Sequence, residues 1–147
     1  MEIFMSLERR ISLITLGVSD VARSTEFYAR LGWSKSSASN DDVTFIQLKG
    51  IVLGLFSRAE LAKDAHVENT PPGFSGVTLA YNVTSEIGVD AVVKYAVSCG
   101  ARLVKAPEKV FWGGYSGYVA DPDGHLWEIA YNPFFPQDEH GHVVLPD

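Results

Sequence analysis

LGVSDVARSTEFYARLGW, residues Leu16–Trp33, is the stretch on which the fold turns. Its opening residues complete the β-prone run ISLITLGV from Ile11 to Val18, and Ser19-Asp20 then offers a helix N-cap. Glu26, Phe27, Tyr28 and Leu31 follow at helical spacing, and Gly32 stands where a left-handed residue ends a helix. Three strand candidates come next: Trp33–Ser36, Val43–Leu48 and Ile51–Phe56. Asn40-Asp41-Asp42 marks the turn before the second, and Lys49-Gly50 is a tight hairpin turn before the third.

The same order then recurs. Arg58 to Ser75 is polar, contains Pro71-Pro72-Gly73, and reads as a linker with one helical turn near Ala59–Lys63. Gly76–Val83 is strand-like, and Thr84-Ser85-Glu86 supplies a cap. Val89, Val92, Val93, Ala96 and Val97 form an apolar helical face closed by Gly100. Arg102–Val104, Tyr115–Ala120 and Leu126–Tyr131 supply three more strands, the last two joined by Asp121-Pro122-Asp123-Gly124. The pattern β-α-β-β-β thus occurs twice, as a repeat of element order without close sequence identity.

Two segments in this order resemble the vicinal oxygen chelate superfamily, which includes glyoxalases, bleomycin-resistance proteins and extradiol dioxygenases. Leu16–Trp33 is similar to the opening of its modules: strand, Val-x-Asp turn, helix with Phe-Tyr and Leu-Gly. DPDGHLWEIAYNP (Asp121–Pro133) is similar to their closing hairpin. The resemblance spans Ile11 to Pro133. It implies an α+β fold of two βαβββ modules whose sheets form an open, cleft-enclosing mixed barrel with helices outside. Module one would cover residues 11–57, the linker 58–75 and module two 76–133. Residues 1–10 would then be a flexible lead-in and 134–147 a C-terminal tail.

Bulk properties exclude several other roles. A chain of 147 residues with 46% hydrophobic content can bury roughly 70% of its extended surface in one domain. A net charge of −6 supplies no basic stripe for nucleic acid and no attraction to anionic membranes. No signal-like or membrane-length apolar run is evident. The single Cys99 rules out an intrachain disulfide and fits a reducing cytoplasm. It reads as a small buried hydrophobe rather than a catalytic thiol.

Many members of the superfamily hold a divalent metal in the cleft with four side chains. Carried over by motif, those positions are Leu13, Gly54, Gly76 and Glu128. Leucine and glycine offer no lone pair, and one carboxylate does not hold a transition metal. His125 is out of phase with Glu128, His66 lies in the linker, and His140 and His142 lie in the tail. The expectation is therefore no metal and no other cofactor.

Strand alternation places Leu13, Thr15, Val52, Gly54, Phe56, Gly76, Thr78, Ala80, Asn82, Leu126, Glu128 and Ala130 on the cleft side. An inward carboxylate is costly unless paired, so Glu128 is either a functional base or ligand anchor, or one half of an internal pair. Val110-Phe111-Trp112-Gly113-Gly114-Tyr115 is either a cap for a planar ligand or an aromatic plug. Phe56, Asn82 and Asn132 are further lining candidates beside Trp112 and Tyr115. The favoured function is metal-independent binding of a small aromatic or cationic molecule. The alternatives are a glyoxalase-like lyase or isomerase, or a dioxygenase-like enzyme, using Glu128 as base, and a dimeric module with a vestigial cleft. Phe134, Phe135, Val143, Val144 and Leu145, beyond the last strand, suggest a homodimer.

Overall fold

A computed structural model describes residues 6–71 and 73–147. The expected lead-in lies partly outside the described residues; Ser6 to Ser12 is exposed and without regular structure. β1 (Leu13–Val18) enters α1 (Val21–Leu31) through Asp20, whose side chain accepts from the Arg23 N–H. Gly32 ends α1 at φ 108°, and its N–H closes onto the last turn. β2 (Val43–Gln47) and β3 (Val52–Ser57) form the hairpin centred on Lys49-Gly50, and α2 (Arg58–Asp64) follows directly. The second half runs β4 (Leu79–Val83), α3 (Glu86–Ser98), β5 (Arg102–Lys109), β6 (Tyr115–Ala120) and β7 (Leu126–Tyr131).

Two mixed sheets result. In the first the order is β1-β3-β2, with β1 parallel to β3; in the second it is β4-β7-β6-β5, with β4 parallel to β7. Neither sheet closes into a barrel. Helices pack on one face of each, and Leu16, Val18, Phe27, Tyr28, Leu53, Leu55, Val89, Val93 and Ile129 join one core. The opposite faces carry the alternate residues, as the period-two reading requires.

Three strand expectations need correction. Trp33–Ser36 is not a strand: Trp33 packs on the Tyr28 and Trp127 rings, and within this segment Ser36 N–H donates to the Phe45 carbonyl in β2. Module one is therefore βαββ. β4 begins at Leu79 rather than Gly76, because Gly76 takes φ 81°, a left-handed conformation that interrupts an extended chain. β5 runs on to Lys109, pairing with β6 through two register shifts.

The Asp121–Gly124 turn does more than reverse the chain. Tyr28 in α1 donates its hydroxyl to Asp121 Oδ2 at 2.7 Å and accepts from the Trp127 indole at 3.1 Å. Asp121 Oδ1 accepts from the Asp123 and His125 N–H groups, and Asp123 Oδ1 accepts from the N–H and hydroxyl of Ser19. A ring nitrogen of His125 lies 2.8 Å from the Gly17 carbonyl. This turn clasps module two onto the start of α1. Burial, followed by the adjacent Asp121 carboxylate, holds the Tyr28 phenol far above its ordinary pKa, so it remains a donor.

Candidate functional site

Glu128 stands in the middle of β7, with Trp127 and Ile129 on either side turned into the core shell. Its cross-strand partner on β6 is Tyr118, and Ser116 lies one step further along the same face. These residues form the floor of a cavity of about 300 Å³. Val110, Phe111 and Trp112 form one wall, and Lys105, Glu108 and Lys109 from the extended β5 form the rim. Lys105 Nζ is 3.1 Å from Glu108 Oε1. Glu128 is half-buried, yet among the described residues it has neither a side-chain hydrogen bond nor an ion partner within 4.0 Å.

The aromatic wall is shaped by its glycines. Val110 N–H donates to the Gly114 carbonyl and Gly113 N–H to the Val110 carbonyl, closing the β5–β6 turn. Gly113 takes φ 92°. A Cβ on Gly114 would lie 1.7 Å from the Trp112 ring, so the indole lies directly over that backbone. Phe111 at the tip is fully exposed.

The structure divides the residues selected from sequence. Glu128 and Trp112 meet in one cavity. Tyr115 is on the opposite face: its ring packs against the core and its hydroxyl donates to Asp90 of α3 at 2.7 Å, which raises its pKa. Asn132 is engaged by its own turn, accepting from the Phe134 N–H. Phe56 lies in the other sheet, opposite Val43, and Asn82 lines a separate hollow between the modules. Tyr118 and Lys105 were missed. Alternation on Tyr115–Ala120 was enough to find Tyr118, whereas Lys105 was hidden by ending β5 at Val104.

The positions equivalent to the metal site are not assembled for a metal. Leu13 and Gly54 lie on β1 and β3, and the space above Gly54 is occupied by Thr15 Oγ1, 3.1 Å from where a Cβ would be. Gly76 lies outside β4. Among the described residues, no three His, Cys, Asp or Glu side chains gather where one ion could hold them. These residues do not fit the divalent metal of the superfamily.

The family model described as the Glyoxalase/Bleomycin resistance protein/Dioxygenase superfamily matches residues 10–129. The chain belongs to this superfamily. It is similar to a glyoxalase-related enzyme from Fulvimarina pelagi, with 36% identity over 95% of this chain and 100% of that one, at a TM-score of 0.85. A glyoxalase/bleomycin resistance protein/dioxygenase family enzyme from Burkholderia phytofirmans PsJN shares the fold at 21% identity and TM-score 0.72, over 83% of this chain and 98% of that one. An uncharacterised protein of Mycobacterium bovis is 42% identical over 63 residues, 42% of this chain and 40% of that protein. That match spans less than half of the relative's length. Among the described residues, no helix is long and apolar enough to cross a membrane.

Proposed function

We propose that the chain is a metal-independent small-molecule-binding protein of the glyoxalase/bleomycin-resistance type. In this reading it takes an aromatic or cationic ligand between Glu128 and the Trp112 loop. The observation that carries the reading is the carboxylate of Glu128, half-buried and without a partner among the described residues, at the floor of an aromatic-walled cavity. A ligand cation would supply a counter-charge that this carboxylate lacks among the described residues. Lys105 is already engaged by Glu108, so Glu128 is the carboxylate left to the cavity floor. Metal independence rests on Leu13, Gly54 and Gly76, which have no donor atom to offer.

The test compares 9-aminoacridine, a flat cation, with 9-anthracenecarboxylate, a flat anion, by calorimetric titration. The cation should bind better, and Glu128→Gln should weaken it by roughly 1.5–3 kcal/mol, the range for charge-assisted hydrogen bonds. Equal binding of the two probes, or of wild type and variant, refutes the reading.

A second reading has its own support. The likeness to a glyoxalase-related enzyme favours a lyase or isomerase in which Glu128 removes a proton from bound substrate. We further propose a cytoplasmic homodimer, supported by the exposed Phe134, Phe135, Val144 and Leu145 beyond β7. Light scattering should give twice the chain mass; a monomer at high micromolar concentration excludes it.

A further inference from the structure

The seam between the modules holds two hollows that Glu128 does not line, and they are contiguous: Trp33, Tyr81 and Trp127 line both. The inner one is a groove of about 180 Å³ between α1 and α3, walled by Phe27, Val92, Ala96 and Ile129. Two of its polar groups are already engaged, since the Tyr95 hydroxyl donates to the Arg30 carbonyl and the Trp127 indole to Tyr28. The lining is otherwise predominantly apolar. A dry apolar cavity of ~150 Å³ holds benzene, so this groove suits one ring or a short chain.

The outer hollow is larger, about 700 Å³, and of different chemistry. Its roof is the C-terminal hairpin, in which Gln137 bridges to Val143 and the Asp138 N–H donates to the His142 carbonyl. The Lys49 ammonium, on the β2–β3 turn, donates to the His140 carbonyl and ties this roof to module one. Gln47, Asn82 and Gln137 add side-chain amides, and among the described residues no carboxylate lines either hollow. His140 and His142 each lie 3.2 Å from a carboxylate of their own, Glu139 and Asp138. Lys49 is exposed and lines this hollow, and among the described residues no carboxylate comes within 4.0 Å of it.

We infer that this seam is a second binding site, for an amphiphilic anion. The apolar body lies in the α1–α3 groove against Trp33 and Trp127, and the anionic head is held by Lys49 and the amides beneath the C-terminal hairpin. The chemistry differs from that of the Glu128 cavity, whose lining carries carboxylates as well as lysines. The inference does not depend on the function proposed for that cavity.

The test uses 4-phenylbutyrate, with 4-phenylbutanol and 4-phenylbutylamine as neutral and cationic counterparts. Titration is followed by calorimetry and by tryptophan fluorescence, because two of the three tryptophans line the seam. Phenylbutyrate should bind, and the alcohol and amine should bind at least tenfold more weakly. Lys49→Gln keeps a donor for the His140 carbonyl but removes the charge, and should weaken phenylbutyrate about tenfold with the thermal melt unchanged. Val92→Trp should block the groove and abolish binding, whereas Glu128→Gln should leave phenylbutyrate affinity unaltered. Absence of phenylbutyrate binding at millimolar concentration overturns the inference, as does equal affinity for acid and alcohol. Insensitivity to Lys49→Gln or loss of binding in Glu128→Gln does so too.

Discussion

The two sheets follow a common plan beneath their helices and differ on the faces turned away from them. In sheet one that face carries Leu13, Thr15, Val43, Phe45, Gln47, Val52, Gly54 and Phe56, and its three strands contain no titratable side chain. In sheet two the equivalent face carries Ser116, Tyr118 and Glu128, with Lys105 and Glu108 beside them. The helix-facing residues fix the backbone plan, because burial there drives folding. The other face is free to vary, and chemistry is present in one module and missing from its counterpart. This is why shared architecture alone does not assign an activity.

The largest expected effect separates the two faces of a single strand. Ile129→Ala should cost about 2–5 kcal/mol, as for other buried truncations. Its neighbour Glu128→Gln should change stability by no more than about 0.5 kcal/mol, since among the described residues no group pairs with its charge. Denaturant melts of the two variants measure both. A strongly destabilised Glu128→Gln would turn the candidate site into a scaffold element.

The clasp between the sheets comes next. Tyr28→Phe leaves Asp121 Oδ2 and the Trp127 indole without their shared partner and should cost about 1.5–3 kcal/mol. The same hydroxyl gives a pH signature. Its folded pKa is raised, so its contribution is complete below the ordinary tyrosine value of 10.0 and is lost as pH climbs beyond it. Above about pH 10 the unfolded chain releases a proton that folded Tyr28 keeps, and the unfolding constant should rise by up to about tenfold per pH unit from this group. Chemical denaturation from pH 8 to 11 should show this slope in wild type and a shallower one in Tyr28→Phe.

A smaller effect tests the aromatic wall that sheet one lacks. Gly114→Ala forces the Trp112 ring off its seat and should cost about 1–3 kcal/mol, with an altered tryptophan emission. Unchanged emission would mean that the indole does not rest on that backbone. Smallest of all, Glu108→Gln breaks an exposed pair with Lys105 and should cost at most about 0.5 kcal/mol.

Much of this was legible in the chain itself. Caps at Asp20 and Ser85, the left-handed Gly32, the Lys49-Gly50 turn and the alternation of β1, β3 and β7 are local features, each set by residues adjacent in sequence. The same alternation turned Glu128 away from the helices, and three donor-free residues argued against the usual metal. Strand ends were less legible, because Gly76 and the bulged β5 depend on how the chain departs from its neighbours.

What only tertiary structure decided is which distant side chains meet. Asp121-Pro122-Asp123-Gly124 reads locally as a turn, yet its carboxylates hold Ser19 before α1 and Tyr28 within it, about a hundred positions away. Trp112 reaches the cavity of Glu128, while Tyr115, three residues on, is drawn to the other face by the core and Asp90. The C-terminal residues read as a polar tail, but they fold into a hairpin that roofs the seam and is fastened by Lys49. Periodicity assigns a residue to a face because the backbone repeat is local. Partnership across that face depends on how two sheets dock, and the docking is set by the whole core at once.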